Sequence, residues 1–168
     1  MDIIAHFLWA FAIFFRRKKE RWGAGLFGVM PDVVSFGPHL VLSLIAGTFS
    51  FGKPNLAAIP SSVFFFYNLT HSLIVFLLVF FIAYFFRKRI YWPLLGWGLH
   101  ILIDIPSHSK DFFPTPFLWP LSDLSINGVS WGNPIFMIVN YSGLAIVYGW
   151  FIILARRTRD YSGHKPKI

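Results

Sequence analysis

Histidine and aspartate residues recur inside the most apolar stretches of this 168-residue sequence. An imidazole or a carboxylate within an apolar helix is energetically costly, so such residues usually pair with one another or mark a functional site. Histidine nitrogens and carboxylate oxygens, in a chain without cysteine, favour zinc, and manganese or iron less specifically. The sequence therefore predicts a divalent metal site. Its candidate ligands are His6, Asp32, His71, His100, Asp104 and His108.

The most specific local pattern is His100-x-x-x-Asp104, which places an imidazole and a carboxylate one turn apart on the same helical face. Two ligands from one turn are a common beginning of a metal site. His108 follows one turn later, after Pro106, a residue that could end the helix first. The same spacing also fits a buried ion pair, so this motif alone leaves both interpretations open.

Three further histidines are less specific when taken singly. His71, in the sequence YNLTHS, is either a core residue or a ligand whose ring Asn68 and Ser72 hold in place. His6 is either a ligand or a hydrogen-bond donor to a pocket. His39 follows a proline, and we expect it to have a structural or substrate-facing role.

The composition predicts what surrounds these residues. Hydrophobic residues make up 56% of the chain and charged residues only 13%, and the mean hydropathy is +0.61. Soluble domains carry about 25% charged residues. The chain is therefore predicted to be an all-α integral membrane protein, with a single transmembrane domain over residues 1–160 and a basic polar tail over 161–168.

Three basic runs, at 16–21, 87–89 and 156–167, hold 13 of the 15 lysine and arginine residues, and each one ends an apolar stretch. This distribution is typical of cytoplasmic membrane edges, so the net charge of +8 does not indicate nucleic-acid binding. About five membrane spans place all three basic runs on the cytoplasmic side, with the N-terminus outside and the C-terminus inside. The predicted spans are 1–15, 22–48, 62–86, 90–106 and 134–155.

The second of these spans is predicted to be interrupted, because GVMPDVVSFGPH contains Pro31 and Pro38 and proline removes a helix donor. Broken backbone at membrane depth lines a cavity or packs inside protein, which places Asp32 at a pocket wall. Counting at 1.5 Å per residue puts five candidate ligands between the midplane and the extracytoplasmic surface. These five are His6, Asp32, His71, His100 and Asp104.

Several sequence motifs occur in an order that resembles the bacterial and archaeal membrane-bound, metal-dependent hydrolases. They are His6, GVMPD with Asp32, THS with His71, HILID with His100 and Asp104, and the segment PTPFLWPLSD. The order is also distantly similar to zinc-dependent phospholipase C, an all-helical family with clustered zinc ions. The chain differs from that second family in lacking a later His-x-x-x-Glu pair.

The resemblance implies one metal position held by Asp32, His71, His100 and Asp104. It implies a second position that His6 joins, with Asp104 as the bridge and His108 as a weaker ligand. One or two zinc ions are therefore expected, in a prokaryotic cytoplasmic membrane. The expected partners are membrane lipids and a lipid-like substrate.

The predicted function is hydrolysis of a lipid phosphoester, or of a similar headgroup, by metal-activated water in the extracytoplasmic half of the membrane. Asp32 or Asp104 would accept the proton from water. No HExxH motif and no Walker loop offers another chemistry. Two alternatives stay open: a small ion-handling, proton-handling or transport protein, and a non-catalytic membrane factor whose polar cluster holds its helices together.

Overall fold

The computed structural model describes residues 1–50 and 56–163, with side chains described to residue 156, and it is all-helical over these residues. Two single turns of 3-10 helix lie at Leu56–Ala58 and Trp92–Leu94. The predicted helical class is confirmed for this part of the chain. The α-helices are α1 (Ile3–Ile13), α2 (Arg21–Ile45), α3 (Ser61–Thr70), α4 (Leu73–Arg87), α5 (Leu95–Ser107) and α6 (Pro134–Gly163).

Helix α2 is the centre of the bundle and packs against α1, α3 and α5. Small residues allow these close contacts. A Cβ atom added at Gly28 would lie 2.9 Å from the Cβ of Ala10 on α1, and one added at Gly96 of α5 would lie 2.0 Å from the carbonyl oxygen of Ala24. Glycine is therefore required at both positions for the backbones to approach.

Helix α6 packs against α1. The indole of Trp9 donates to the Asn140 side chain at 2.8 Å, and the Tyr148 hydroxyl donates to the carbonyl of Leu8 at 2.9 Å. The helix continues to Gly163, beyond residue 160 where the predicted domain ends. Residues 164–168 of the predicted tail lie outside the described residues.

Within the described ranges, two helices are long and apolar enough to cross a membrane: α2, and α6 over Pro134–Arg156. A third span results if α3 and α4, which meet at a 56° bend, cross together. This is fewer than the five spans that the sequence predicts. Helices α1 and α5 have 11 and 13 residues, or about 16 and 20 Å, whereas the hydrocarbon layer is about 30 Å thick.

The predicted interruption of the second span is wrong. Helix α2 is continuous over 25 residues although it contains Pro31 and Pro38. Membrane helices tolerate the loss of the backbone donor that proline removes. The carbonyl of Pro31 itself accepts hydroxyl hydrogen bonds from Ser35, one turn later, and from Thr70 of α3 at 3.3 Å, which links α2 to α3 at this turn.

The helical break falls instead in the third apolar stretch, which contains no proline. Helix α3 ends at Thr70, and Ser72 has extended backbone angles. The Ser72 hydroxyl accepts a hydrogen bond from the Val75 amide at 3.2 Å and donates one to the carbonyl of Trp119. Serine is a favoured N-cap, so it begins α4 in a new direction and leaves His71 at the bend.

Candidate metal centre

The structure brings all six predicted ligands together in the middle of the bundle. His6 comes from α1 and Asp32 from α2, whereas His71 lies at the α3–α4 break. Helix α5 supplies His100 and Asp104, and His108 follows its last residue. Four of the six have ligand atoms that all lie within 4.8 Å of one another, so this group could hold a metal ion. These four are Asp32, His71, His100 and Asp104.

The group is almost completely shielded from the surroundings. His71 and Asp104 are 0% exposed, and His6 and His100 are 1% exposed. Asp32 is the exception, because its side chain is 13% exposed. The single accessible carboxylate therefore lies at the side of the cluster from which water or a substrate could approach.

Main-chain carbonyls fix the rings of His71 and His100. The Nδ1 atom of His100 lies 2.7 Å from the carbonyl oxygen of Gly28, and that of His71 lies 3.0 Å from the carbonyl oxygen of Tyr67. A carbonyl oxygen only accepts hydrogen bonds, so Nδ1 carries the proton in each ring. The Nε2 atom of each neutral ring then offers a lone pair.

These two lone pairs point at each other and at two carboxylates. The Nε2 atoms of His71 and His100 are 3.0 Å apart. Oδ2 of Asp104 lies 3.1 Å from the His100 Nε2 and 3.6 Å from the His71 Nε2, and Oδ1 of Asp32 lies 3.5 Å from the latter. Among the described residues, Oδ2 of Asp104 has no hydrogen-bond donor. Four electron-rich atoms facing one another repel unless a cation lies between them.

A second group lies on the other oxygen of the same carboxylate. Oδ1 of Asp104 is 3.0 Å from Nε2 of His6 and 3.5 Å from Nε2 of His108. It also accepts a hydrogen bond from the Ser107 hydroxyl at 3.3 Å and forms an ion pair with the amino group of Met1. The two oxygens of Asp104 therefore face two different sets of histidines.

Helix α5 ends at Ser107, as Pro106 suggested, yet His108 still reaches the cluster. Its Nδ1 atom lies 2.7 Å from the carbonyl oxygen of Phe113. The Tyr67 hydroxyl also donates to that oxygen, at 2.7 Å. The loop after α5 thus orients the His108 ring through a backbone carbonyl, as helix carbonyls orient the rings of His71 and His100.

Sequence analysis missed three residues that hold the ligands, namely Gly28, Tyr67 and Thr70. Tyr67 stacks on the His71 ring with centroids 3.8 Å apart, and the Thr70 hydroxyl lies 3.0 Å from Nδ1 of His71. The prediction that Asn68 and Ser72 orient this ring is not supported, because Ser72 caps α4 instead. Only the helical spacing of Tyr67 from His71 could have indicated its role.

The structure does not bring His39 to the cluster. It lies two turns beyond Asp32 on α2, where its carbonyl accepts a hydrogen bond from Ser43 at 2.8 Å. A cavity of about 220 Å³ is lined by Tyr67, whose ring stacks on that of His71, and by none of the six predicted ligands. Phe64 and Phe113 form its apolar wall, and Lys110 and Asp123 are among the charged residues that line it.

Nitrogen and carboxylate donors, with three of the histidine rings oriented by backbone carbonyls, are what a protein offers to a divalent cation. No family model matches the chain, and neither the curated proteins nor the solved structures contain a match. The structure supports a helical protein with two candidate membrane-spanning helices and a buried group that could hold a metal ion.

Proposed function

We propose that this chain is a membrane-embedded, metal-dependent hydrolase. The observation that carries the proposal is the convergence of unprotonated Nε2 atoms and carboxylate oxygens on one point. A merely structural cluster would pair each nitrogen with a donor or an acceptor. Here Nδ1 of His71 and Nδ1 of His100 each donate a hydrogen bond to a backbone carbonyl. The Nε2 lone pair of each ring therefore faces the centre of the cluster.

Asp32, His71, His100 and Asp104 would hold a divalent ion, and their nitrogen and oxygen donors suit zinc, with manganese or iron as alternatives. A second ion would use the other oxygen of Asp104 together with His6 and His108, and it would replace the Met1 amino group, which contacts that oxygen and lies 3.1 Å from the His108 Nε2. A divalent metal lowers the pKa of water towards about 7 and polarises a phosphoryl oxygen. This removes the need for a serine or cysteine nucleophile.

The residues of the chain would supply the remaining steps. Asp32 is the most exposed carboxylate of the cluster, so it is the group best placed to accept a proton from the attacking water. Asp104 is fully buried between two sets of histidines, and its role would be to hold both of them. Burial excludes bulk water, which strengthens each charge interaction during the reaction.

The proposed substrate is a lipid with a phosphoester or a similar polar headgroup. A membrane-embedded site receives its substrate from the lipid layer. The cavity beside Tyr67 combines aromatic walls with lysine and aspartate. Such a lining suits a ligand that is partly apolar and partly charged.

We propose that the basic runs face the cytoplasm and that the cluster lies in the extracytoplasmic half of a prokaryotic cytoplasmic membrane. The five apolar stretches would then all lie within the membrane, with α1 and α5 too short to cross it alone. Cysteine introduced at Lys110 should react with an impermeant thiol reagent added outside the cell, and cysteine at Lys88 should not. The reverse labelling pattern would invert this orientation.

Metal content is the decisive test. Protein purified without chelator or a polyhistidine tag should contain one to two equivalents of zinc or manganese by inductively coupled plasma mass spectrometry. The double variant His100→Ala/Asp104→Ala should contain almost none, while His39→Ala, outside the cluster, should match the native protein. Equal metal in all three samples would remove these residues from the site.

Turnover then separates a hydrolase from an ion-handling protein. The metal-loaded native protein should release product from a lipid phosphoester, and His71→Ala should lose this activity together with its metal. A protein that binds metal but hydrolyses none of the lipid phosphoesters tested would favour ion handling instead. A protein without metal would favour a cluster that only packs the helices.

A further inference from the structure

A cleft at the N-terminal end of α2, away from the metal cluster, gathers basic residues from two distant parts of the chain. It has a volume of about 640 Å³ and lies between the α1–α2 connection and the segment that joins α4 to α5. Glu20, at the start of α2, precedes Asp32 by 12 residues, or about 18 Å along the helix. The charged residues of the lining are Lys19, Glu20, Arg87 and Arg89.

The fold holds the two walls of this cleft together. A Cβ atom added at Gly23 of α2 would lie 3.0 Å from the Cβ of Pro93, so the two backbones pack closely. The guanidinium of Arg17 lies 3.6 Å from the centre of the Trp92 ring, a cation–π contact between the two walls. The basic runs therefore meet because the tertiary structure places them side by side.

The basic residues of the cleft have no ion-pair partner in the described part of the chain, and Arg87 has a cation–π contact with Tyr91 at 4.7 Å. In the described part of the structure, no carboxylate lies within ion-pair distance of Lys19, Arg87 or Arg89. Gathering three positive charges around one concave surface is unfavourable unless an anion neutralises them. Arginine side chains bind phosphate through paired hydrogen bonds, so phosphate is the anion that fits best.

Apolar side chains adjoin the same charges. Ile90 and Tyr91 line the cleft, and Phe86, next to Arg87 in the chain, is 78% exposed. A free phosphate would leave these apolar surfaces uncovered, whereas the hydrocarbon chains of a lipid would cover them. Basic pockets between membrane helices are known sites for anionic headgroups.

We propose that this cleft binds the phosphate group of an anionic phospholipid, with Lys19, Arg87 and Arg89 as its ligands. The site is separate from the metal cluster and does not depend on hydrolase activity. Bound lipid would offset part of the positive charge of the two basic runs and link the α1–α2 and α4–α5 connections to each other. The lipid would thereby hold the N-terminal ends of α2 and α5, two helices that carry metal ligands.

The test is lipid retention by the full-length protein in a neutral detergent, measured by native mass spectrometry. The native protein should retain phosphatidylglycerol in preference to phosphatidylcholine. Arg87→Gln/Arg89→Gln should weaken phosphatidylglycerol binding by about 30-fold, which corresponds to about 2 kcal/mol. The single variant Arg89→Gln, which leaves the Arg87 contact with Tyr91 in place, should show a smaller loss.

The matched control is Arg16→Gln/Arg156→Gln, which removes two charges from the same predicted membrane face but outside the cleft. It should bind phosphatidylglycerol as the native protein does. Equal retention of both lipids by the native protein, or an equal loss in the control, would overturn the proposal. Displacement of the lipid by glycerol 3-phosphate at the same concentration would assign the cleft to a soluble phosphate, which also overturns it.

Discussion

The two oxygens of the Asp104 carboxylate face environments that differ in how firmly they are built. On the Oδ2 side, the rings of His71 and His100 are each held by a backbone carbonyl. On the Oδ1 side, only His108 is held in this way, and neither ring nitrogen of His6 has a hydrogen-bond partner among the described residues. His6 is held there by stacking on the His100 ring, with centroids 3.8 Å apart.

The hydrogen-bonding state of the two oxygens differs in the same way. Oδ1 already accepts a hydrogen bond from Ser107, whereas Oδ2 has no donor in the described part of the chain. A rigid set of lone pairs around an unsatisfied oxygen binds a cation more tightly than a loosely held set around a satisfied one. We therefore expect the Oδ2 side to hold the tighter metal position.

The largest effect is expected from Asp104→Asn, which removes the charge shared by both sides without changing the shape of the residue. Metal affinity should fall by more than about 100-fold, since even residues that only orient a ligand contribute 10–100-fold. Competition with a chelating dye measures this change. Asp123→Asn, on an exposed loop, is the control. Similar losses in the two variants would mean that overall charge, and not the site, attracts the metal.

A smaller effect is expected from Thr70→Val, which deletes the hydroxyl beside His71 Nδ1 and preserves the side-chain shape. Metal affinity should fall by about tenfold, because the ring loses one of the two groups that orient it. Thr70→Ser restores the hydroxyl and should recover most of the affinity. If the valine and serine variants bind metal equally well, the carbonyl of Tyr67 orients the ring by itself.

The smallest effect on the tighter position is expected from His6→Ala. This change removes a ligand of the Oδ1 side only, so about one equivalent of metal should remain, with affinity within about tenfold of the native protein. Stoichiometry by mass spectrometry and dye competition measure the two quantities. Loss of all metal would show that both sides form a single site.

Much of the site could be predicted from the sequence, because polar residues in an apolar chain are costly and therefore few. His100 and Asp104 lie one turn apart, and helical geometry alone puts them on the same face. The depth of His6 and His71 along their apolar stretches followed from the basic runs that end them. The all-helical class follows equally from the composition.

The location of the helical break could not be predicted in this way. Proline was expected to break α2, yet the helix continues through both Pro31 and Pro38. The actual break depends on Ser72, whose hydroxyl caps α4 and contacts the distant Trp119. A contact between residues 47 positions apart leaves no local pattern.

The sequence by itself determined which side chains could ligate a metal and that they lie in an apolar, helical chain, because both depend on residue type and spacing. Only the tertiary structure decided which ring nitrogen faces the centre of the cluster. That choice depends on the carbonyls of Tyr67 and Gly28, which accept a hydrogen bond from Nδ1 of His71 and of His100. The Tyr67 carbonyl is within reach because α3 ends just before His71, whereas only the packing of α2 against α5 brings the Gly28 carbonyl to His100.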